Sequence, residues 1–344
     1  MAKNPYTMLF GKEPKQVISR FSESSVIIDN FCEEEFSEQM YIITGVRGSG
    51  KTVFMSEIAN ELEHRKEWIT VELNSESELL KDLASKLSSE NSLAEIFKNA
   101  NINLSFFGFG LEVSGAAPIT NIETAVTKML ESIQKHKKRL LITIDEVVNS
   151  KHMSEFAGAF QIFIRKNLPV FLLMTGLYQN IDELQNRRNL TFLLRAPKII
   201  LKPLNMRRMA ENYMNTLKVS EDDAINMARL TKGYSFAFQA LGYMTYEKNG
   251  DYKSAISDYK HQLEDFVYDK IWSELSIKDR EFLIAIAQSG TGKVIDIRNI
   301  LGITNNQFNP YKKRLEKKGL IDGSYGLAEL ALPMFEEYLL DKVE

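Results

Sequence analysis

The sequence predicts an α/β protein in which a parallel sheet is sandwiched by helices, followed by a small helical segment and by a C-terminal unit with helix-turn-helix spacing. Short apolar runs alternate with helical patterns through the first two hundred residues. The runs are continuous rather than alternating, as in strands buried on both faces of a parallel sheet. Strands that alternate with helices are typical of βαβ units. The predicted strands are Met40–Thr44, Trp68–Leu73, Leu140–Asp145, Val170–Thr175 and Lys198–Leu201.

Helical spacing of apolar residues predicts helices between these strands. The first covers Lys51–Arg65, and another contains Val126 and Ile133 and opens with Thr120 and Glu123 at capping-box spacing. The segment Asn103–Gly115 alternates apolar and polar residues and contains three glycines, which predicts an inserted hairpin or loop.

After Pro203 the strand pattern stops. Three helical patterns follow, at about Asn205–Leu217, Ser220–Leu230 and Tyr234–Lys248. A last unit begins near Phe266 and contains helices, a short basic helix and a pair of short strands bounded by glycines.

Composition and charge exclude several classes of protein. Lys plus Arg is 43 and Asp plus Glu is 46, a net charge of −3, so any nucleic-acid surface must be local. One cysteine and four histidines argue against a disulfide scaffold and against a structural zinc site, and favour the reducing cytoplasm. We expect neither a signal peptide nor a membrane-spanning segment, because no apolar run approaches about 20 residues.

The most specific pattern is a glycine-rich loop of the form G-x-x-x-x-G-K-[ST]. A buried strand precedes it and an amphipathic helix follows it, so its backbone N–H groups can surround phosphate oxygens at a helix N-terminus. Lys51 is expected to reach the β- and γ-phosphates of ATP, and the Thr52 hydroxyl to bind Mg²⁺. The loop residues are Gly45, Val46, Arg47, Gly48, Ser49, Gly50, Lys51 and Thr52.

A second part of the phosphate site is predicted where the strand Leu140–Asp145 ends. Asp145 is expected to hold Mg²⁺, and Glu146 to orient and polarise the attacking water. A carboxylate that activates water favours hydrolysis over phosphate transfer by a small-molecule kinase. The alternative is a solvated Asp-Glu pair at a strand end.

Thr175 ends the next strand and is a candidate sensor of the γ-phosphate, or else a cap of the helix after Leu177. Three arginines before the last strand, Arg187, Arg188 and Arg195, are candidate arginine fingers. Arg195 is favoured because it immediately precedes Ala196-Pro197 and the strand, although exposed arginines are usually only solvated.

With these residues the chain resembles the AAA+ ATPases of the origin-recognition-initiator-like and STAND-related branch that carry a C-terminal winged helix. The resemblance covers almost the whole chain and is strongest in GVRGSGKT and LLITIDEV. Weaker support comes from Asn4-Pro5-Tyr6, Phe10-Gly11, Pro14, VFLLMTG, LLRAPKIILKPL, Gly233-Tyr234 and NNQFNPYKKRLEKKGLI.

The resemblance implies a division into a P-loop ATPase core (1–203), a helical lid (204–262) and a winged-helix domain (263–344). It also implies that Asn4–Ile18 lies against the adenine, that Thr175 is the first sensor and Arg195 a finger, and that the helix after Gly233 faces the nucleotide. The chain departs from the family at Ser19, which precedes Arg20 where a glycine is usual, and at Ser235, where a proline is usual.

The C-terminal unit carries a local basic cluster. From Arg298 to Lys318 there are six basic residues and one acidic residue. All but Arg298 fall on the third helix of the unit, which is expected to start at Asn309 or to be kinked at Pro310. A recognition helix is one interpretation, with base-edge or phosphate contacts from Asn305, Asn306, Gln307, Lys312, Lys313 and Arg314. The other is a protein-contact or autoinhibitory module, because acidic residues slightly outnumber basic ones in Phe266–Glu344.

The sequence thus predicts an ATP-hydrolysing, Mg²⁺-dependent AAA+-like ATPase that acts as a nucleotide-driven conformational switch. The alternative is a DNA-binding regulator that holds ATP as a ligand with little turnover. The expected partners are ATP, double-stranded DNA through the winged helix, and further copies of the chain in a homo-oligomer, with no membrane.

Overall fold

A five-stranded parallel sheet forms the centre of the N-terminal half in this computed structural model, which describes residues 3–8, 14–187 and 190–343. The strand order is β2-β3-β4-β1-β5. All five strands coincide with predicted apolar runs to within one residue at each end. They are β1 (Met40–Thr44), β2 (Trp68–Asn74), β3 (Arg139–Asp145), β4 (Val170–Gly176) and β5 (Lys198–Ile200). The predicted fold class is confirmed.

The register of the sheet brings the carboxyl ends of its parallel strands to one edge. Thr44 pairs with Gly176 across β1 and β4, Ile144 with Met174 across β3 and β4, and Asn74 with Asp145 across β2 and β3. Every residue of β1 and β4 is buried, as continuous apolar strands in a sheet covered on both faces require. Side chains that follow β1, β3 and β4 therefore emerge at the same edge.

Seven helices accompany this sheet in the described part of 21–200. They are α1 (Phe21–Cys32), α2 (Lys51–Glu63), α3 (Leu79–Ser89), α4 (Asn91–Asn99), α5 (Ile122–Lys135), α6 (Lys151–Arg165) and α7 (Tyr178–Gln185). Helix α1 was not predicted from the sequence. The predicted cap of α5 was wrong by one position: Asn121 is the N-cap, and its side chain accepts from Thr124 N, a bond that the Thr120 hydroxyl does not make.

The segment Asn103–Gly115 is a loop, one of the two predicted alternatives. It contains one 3₁₀ turn, Ser105–Phe107, and no strand. Leu104 and Leu111 are buried in the core beside the sheet, and Leu104 N donates to Leu111 O at 2.8 Å. The loop is thus anchored by two apolar side chains.

The C-terminal half is mainly helical. Its elements are α8 (Met206–Leu217), α9 (Glu221–Leu230), α10 (Ser235–Glu247), α11 (Tyr252–Leu263), a π-helical stretch (Glu264–Tyr268), α12 (Asp269–Glu274), α13 (Ile277–Ser289), α14 (Val294–Leu301), α15 (Asn305–Lys317), β6 (Ile321–Asp322), β7 (Glu329–Leu330) and α16 (Phe335–Asp341). Side chains of Asn205, Ser220 and Ser276 cap the first turns of α8, α9 and α13, which explains why those helices begin where polar residues interrupt the apolar pattern.

Helix α15 starts earlier than its proline suggested. It begins at Asn305, because Thr304 and Gln307 form a capping box, so the expected start at Asn309 was wrong. Pro310 lies inside the helix. The strands β6 and β7 then pair antiparallel, Ile321 with Leu330, as the glycine-bounded strand pair predicted.

The chain forms two compact units. One comprises Phe21–Thr44 and Lys51–Ile200, and the other the described parts of 1–20, 45–50 and 201–344. Each has its own apolar core. The division at 203 and 262 into core, lid and winged helix stays a prediction. Among the described residues, no helix combines the length and apolar character needed to cross a bilayer.

Candidate functional site

The glycine-rich segment Gly45–Gly50 follows β1 and leads into α2. Gly48 and Gly50 have left-handed backbones, with φ of 74° and 90°, a conformation that glycine adopts without steric penalty. The backbone N–H of Ser49 donates to the carbonyl of Val46 at 3.2 Å. The segment is therefore a tight turn with the backbone of a phosphate-binding loop.

Lys51 and Thr52 form the first turn of α2. The N-terminus of a helix is favourable for an anion, because the free N–H groups and the helix dipole both carry partial positive charge. Lys51 is 8% exposed, whereas Thr52 is exposed and its Oγ1 donates to Asp145 Oδ2 at 2.7 Å. The hydroxyl of the loop and the carboxylate of β3 are thus in direct contact.

Thr175 links the two residues at the end of β3. Its buried hydroxyl donates to Asp145 Oδ1 and accepts from the backbone N–H of Glu146 at 3.0 Å. The N-cap of α7 is Leu177, so the Thr175 hydroxyl bonds to the Asp145 carboxylate and the Glu146 backbone N–H and does not cap the helix. Asp145 accepts from both Thr52 and Thr175, one at each oxygen.

Glu146 leaves the sheet in a left-handed conformation, with φ of 48°. This conformation is unfavourable for a residue with a Cβ and needs support from neighbouring groups. The support comes from Thr175, as described, and from the Ser75 hydroxyl, which donates to the Glu146 carbonyl at 3.3 Å. The Glu146 side chain is exposed and lines an open pocket of about 540 Å³ with Asp145, Glu72 and Lys86.

The oxygen ligands fit a hard divalent cation that also binds phosphate. Thr52 and Asp145 supply two adjacent oxygens, and Mg²⁺ at nucleotide sites typically takes one or two protein oxygens with phosphate and water completing its shell. In the described part of the chain, no group of three His, Cys, Asp or Glu side chains could hold a metal alone. The protein ligands therefore suit a metal that arrives with a nucleotide.

The candidate arginines differ in their surroundings. Arg187 donates to the Ser150 carbonyl at 3.2 Å and to the Ser154 hydroxyl, so it ties α6 to the segment after α7. Arg195 is exposed at the end of a 3₁₀ turn, Thr191–Arg195, directly before β5. Arg188 lies outside the described residues.

The N-terminal segment, expected against the adenine, is described for residues 3–8 and 14–18, whereas Phe10 and Gly11 lie outside the described residues. Tyr6 is buried in the compact unit that includes 201–344, where its hydroxyl donates to Asn212 at 2.8 Å. Its ring lies 5.6 Å from that of Phe238 in an edge-to-face arrangement. The segment is thus anchored to α8 and α10 through an aromatic side chain.

Three residues at the start of α10 contact the phosphate-loop segment, and sequence reasoning named none of their roles. Tyr234, Ser235 and Phe236 each donate a hydrogen bond to a carbonyl of Arg47, Gly48 or Ser49. The one signal in the sequence was Gly233-Tyr234, because the family resemblance places the start of the lid helix there. Donors 186 and 187 residues distant along the chain leave no local pattern.

The polar residues of α15 have different environments. Asn305, Asn306 and Lys313 are exposed. The other three have partners: Gln307 accepts from Thr304 N at 3.0 Å, Lys312 donates to the Ser324 carbonyl at 2.8 Å, and Arg314 pairs with buried Asp279. Gln307 is also exposed and the Arg314 side chain is 42% exposed, so these two side chains bond within the chain and still reach solvent.

Two family models match this chain. Residues 27–192 match a family described as an ATPase domain predominantly from Archaea. Residues 265–339 match a domain of unknown function. The first match contains the glycine-rich loop and both Asp145 and Thr175. A comparison with curated protein sequences found no match.

Solved structures share the fold at low sequence identity. A Walker-type ATPase of Pyrococcus abyssi is 18% identical, with a TM-score of 0.68 over 94% of this chain and 96% of that one. The ADP form of the ORC2 protein of Aeropyrum pernix is 15% identical, with a TM-score of 0.52 over 97% and 96%. Cdc6p from Pyrobaculum aerophilum is 12% identical, with a TM-score of 0.50 over 97% of each chain.

Proposed function

We propose that the protein is a nucleotide-driven conformational switch. The support is that residues 27–192 match an ATPase-domain family and that the chain shares its fold with Cdc6p and the ORC2 protein. ATP·Mg²⁺ binds at Gly45–Thr52, and its hydrolysis alters the arrangement of the ATPase core, the lid and the C-terminal unit. The observation that supports this most directly is the chain of hydrogen bonds from Thr52 through Asp145 and Thr175 to Glu146.

The chain's own residues divide the work between binding and hydrolysis. The loop N–H groups and Lys51 bind the phosphates, and Thr52 and Asp145 hold Mg²⁺. The metal, when bound, neutralises charge that develops on the phosphate oxygens. Glu146 orients the attacking water and accepts its proton, with Thr175 fixing its backbone. Arg195, exposed before β5, is the candidate finger for a neighbouring copy.

Glu146→Gln tests the hydrolytic part of the proposal. The amide keeps the size and hydrogen-bonding reach of the carboxylate but cannot accept the proton, so we expect normal ATP affinity and turnover at least about 10²-fold slower. Lys51→Ala is the matched control for binding. Where Glu146→Gln keeps its affinity for ATP, Lys51→Ala should lose nucleotide binding in calorimetry while its circular dichroism stays unchanged.

Undiminished turnover in Glu146→Gln would show that the base lies elsewhere. Wild-type ATP affinity in Lys51→Ala would refute the assignment of the loop. The same assay with and without duplex DNA separates the switch from a regulator that holds ATP as a ligand, because a regulator would show little turnover in either condition.

A second candidate function is DNA binding by the C-terminal unit in a winged-helix arrangement. The supporting observation is that Asn305, Asn306 and Lys313 are exposed together on α15, whose first turn is fixed by the capping box at Thr304. An exposed N-terminal turn with short amides is the part of a recognition helix that contacts base edges.

With a single cysteine in the chain, we place the protein in the cytoplasm.

A further inference from the structure

Three consecutive residues at the start of α10 donate hydrogen bonds to three consecutive carbonyls of the phosphate-loop segment. The Tyr234 hydroxyl donates to the carbonyl of Arg47. The Phe236 N–H donates to Gly48 O at 3.1 Å, and the Ser235 hydroxyl donates to Ser49 O at 2.8 Å. All these residues belong to the same compact unit.

Peptide geometry turns these carbonyl contacts into control of the loop N–H groups. A trans peptide is planar, with the C=O of one residue antiparallel to the N–H of the next. A donor that fixes the carbonyl of Arg47 therefore fixes the N–H of Gly48 in the opposite direction, and a donor on Ser49 does the same for Gly50. Both glycines have positive φ, and glycine has the most backbone freedom to lose.

We propose that Tyr234 and Ser235 are positioning residues for nucleotide binding. By holding the carbonyls of Arg47 and Ser49, they orient the next N–H groups, those of Gly48 and Gly50, toward the phosphates before ATP arrives. The inference rests on the proposed function, in that Gly45–Thr52 must be the phosphate site. Neither side chain needs to contact the nucleotide, because each acts through the peptide that it holds.

The surroundings of these residues support a fixed arrangement. A Cβ on Gly48 would overlap the Tyr234 hydroxyl, and one on Gly50 would lie 3.2 Å from the Ser235 hydroxyl. The carbonyl of Ser49 also accepts from the buried guanidinium of Arg20 at 3.3 Å. Tyr234 is 6% exposed, and burial raises the pKa of its hydroxyl, which therefore remains a donor throughout the neutral range.

Tyr234→Phe is the direct test, since it removes one hydroxyl and keeps the ring. Without that bond the free loop populates other peptide orientations, and the apparent dissociation constant rises by the inverse of the competent population. The loss of one such bond corresponds to an increase of about three- to tenfold in Kd for both ATP and ADP in calorimetry. At saturating ATP we expect kcat to stay within about twofold, because the bond acts alike on bound substrate and transition state.

Tyr213→Phe is the matched control. Its buried hydroxyl also donates to a backbone carbonyl in the same unit, that of Phe238 on α10 at 2.8 Å, but not to a carbonyl of the phosphate loop. We expect a similar change in melting temperature and unchanged nucleotide affinity. Ser235→Ala removes a second donor and should raise Kd in the same direction as Tyr234→Phe.

The outcomes separate this inference from the proposed function. If wild-type protein binds ATP and both Tyr234→Phe and Ser235→Ala bind it equally well, the positioning role is refuted while the phosphate site stands. If the control Tyr213→Phe weakens binding as much, the effect is one of general stability and the inference also fails. If wild-type protein and Lys51→Ala bind ATP alike, the proposed function fails first.

Discussion

Thr175 contacts both Asp145 and Glu146, the two acidic residues of the candidate site. One hydroxyl both donates to Asp145 and accepts from the N–H of Glu146, so it fixes the side chain of the first and the backbone of the second. Glu146 needs that support because its φ of 48° is unfavourable for a residue with a side chain. Under the proposed function, a threonine at this position supports hydrolysis without having to touch the nucleotide.

Replacing Thr175 with Val should slow hydrolysis. The change preserves shape but leaves the Glu146 N–H without its acceptor and frees one oxygen of Asp145. Loss of such a supporting contact typically reduces activity roughly 10–100-fold, and we expect that fall in kcat with an ATP affinity within about threefold of wild type. Steady-state turnover and calorimetry measure the two quantities.

Thr44→Val is the matched control for this prediction. Thr44 is also a buried threonine at a strand end, but among the described residues its hydroxyl has no hydrogen-bond partner. Its replacement should leave kcat unchanged and stability equal or higher. Equal kcat in Thr175→Val and wild type would contradict the supporting role of Thr175.

Residues at strand ends could be predicted from the sequence, whereas residues that act across the fold could not. Asp145 and Thr175 follow recognisable apolar runs, and parallel strands bring their carboxyl ends to one edge, so their proximity follows from local pattern. Tyr234 meets Arg47 across 187 residues. No periodicity or spacing encodes that contact, because it depends on tertiary packing.

At the scale of elements, strands were easier to predict than their order and than several helix boundaries. Each of the five strands is marked by its own apolar run, although only β1 and β4 are buried throughout and two of the three residues of β5 are exposed. The position of β1 between β4 and β5 depends on crossovers that local sequence does not specify. Helix α15 begins before its proline: a capping box fixes its first turn, and Phe308, which precedes Pro310, is buried together with Leu315.

Two residues of the basic cluster, Arg314 and Lys318, form ion pairs with Asp279 on α13. Asp279, whose side chain is 2% exposed, pairs with Arg314 and with Lys318, the latter at 3.1 Å. Burial alone would raise the pKa of the Asp279 carboxyl, but hydrogen bonds and charge from the two cations outweigh it and lower the pKa. Arg314 therefore stabilises the fold of the C-terminal unit, whatever else it contacts.

Asp279→Asn should destabilise the C-terminal unit in a pH-dependent manner. Breaking a fully buried pair costs about 3–5 kcal/mol, and we expect about 2–3 kcal/mol because exposure of Arg314 weakens the pair. Since the folded pKa lies below the unfolded value of about 3.9, the contribution is complete above that pH and is lost as pH falls through the folded pKa. Urea denaturation at pH 7 and between pH 5 and 3 measures both effects.

Asp322→Asn provides the control, because Asp322 is exposed on β6 and its loss should change stability little. The wild-type advantage over Asp279→Asn should shrink below pH 4, whereas Asp322→Asn should follow wild type throughout. An advantage that persists undiminished at pH 3 would show that the carboxylate charge is not its source.

At the scale of the whole molecule, the binding partner of the C-terminal unit distinguishes two forms of the proposed switch, one that contacts DNA and one that contacts protein. The net charge of the chain is −3, so any DNA binding must come from a local surface and be weak and steeply dependent on salt. ATP-dependent oligomers would strengthen it by presenting several α15 helices to one duplex. Duplex affinity should therefore be higher with ATP, with a larger mass in light scattering.

Lys313→Glu tests that surface without disturbing the Asp279 pair. If Lys313 contacts a phosphate, the reversal should weaken binding of every duplex sequence and reduce the log–log salt slope by about 0.9. Lys253→Glu applies the same change of net charge at an exposed site on α11 and should leave the slope unchanged. The measurement is a titration of labelled duplex at low salt, with and without ATP. Equal affinities of both variants and wild type would contradict the phosphate contact, and no binding in either condition would leave the C-terminal unit as a protein-contact module.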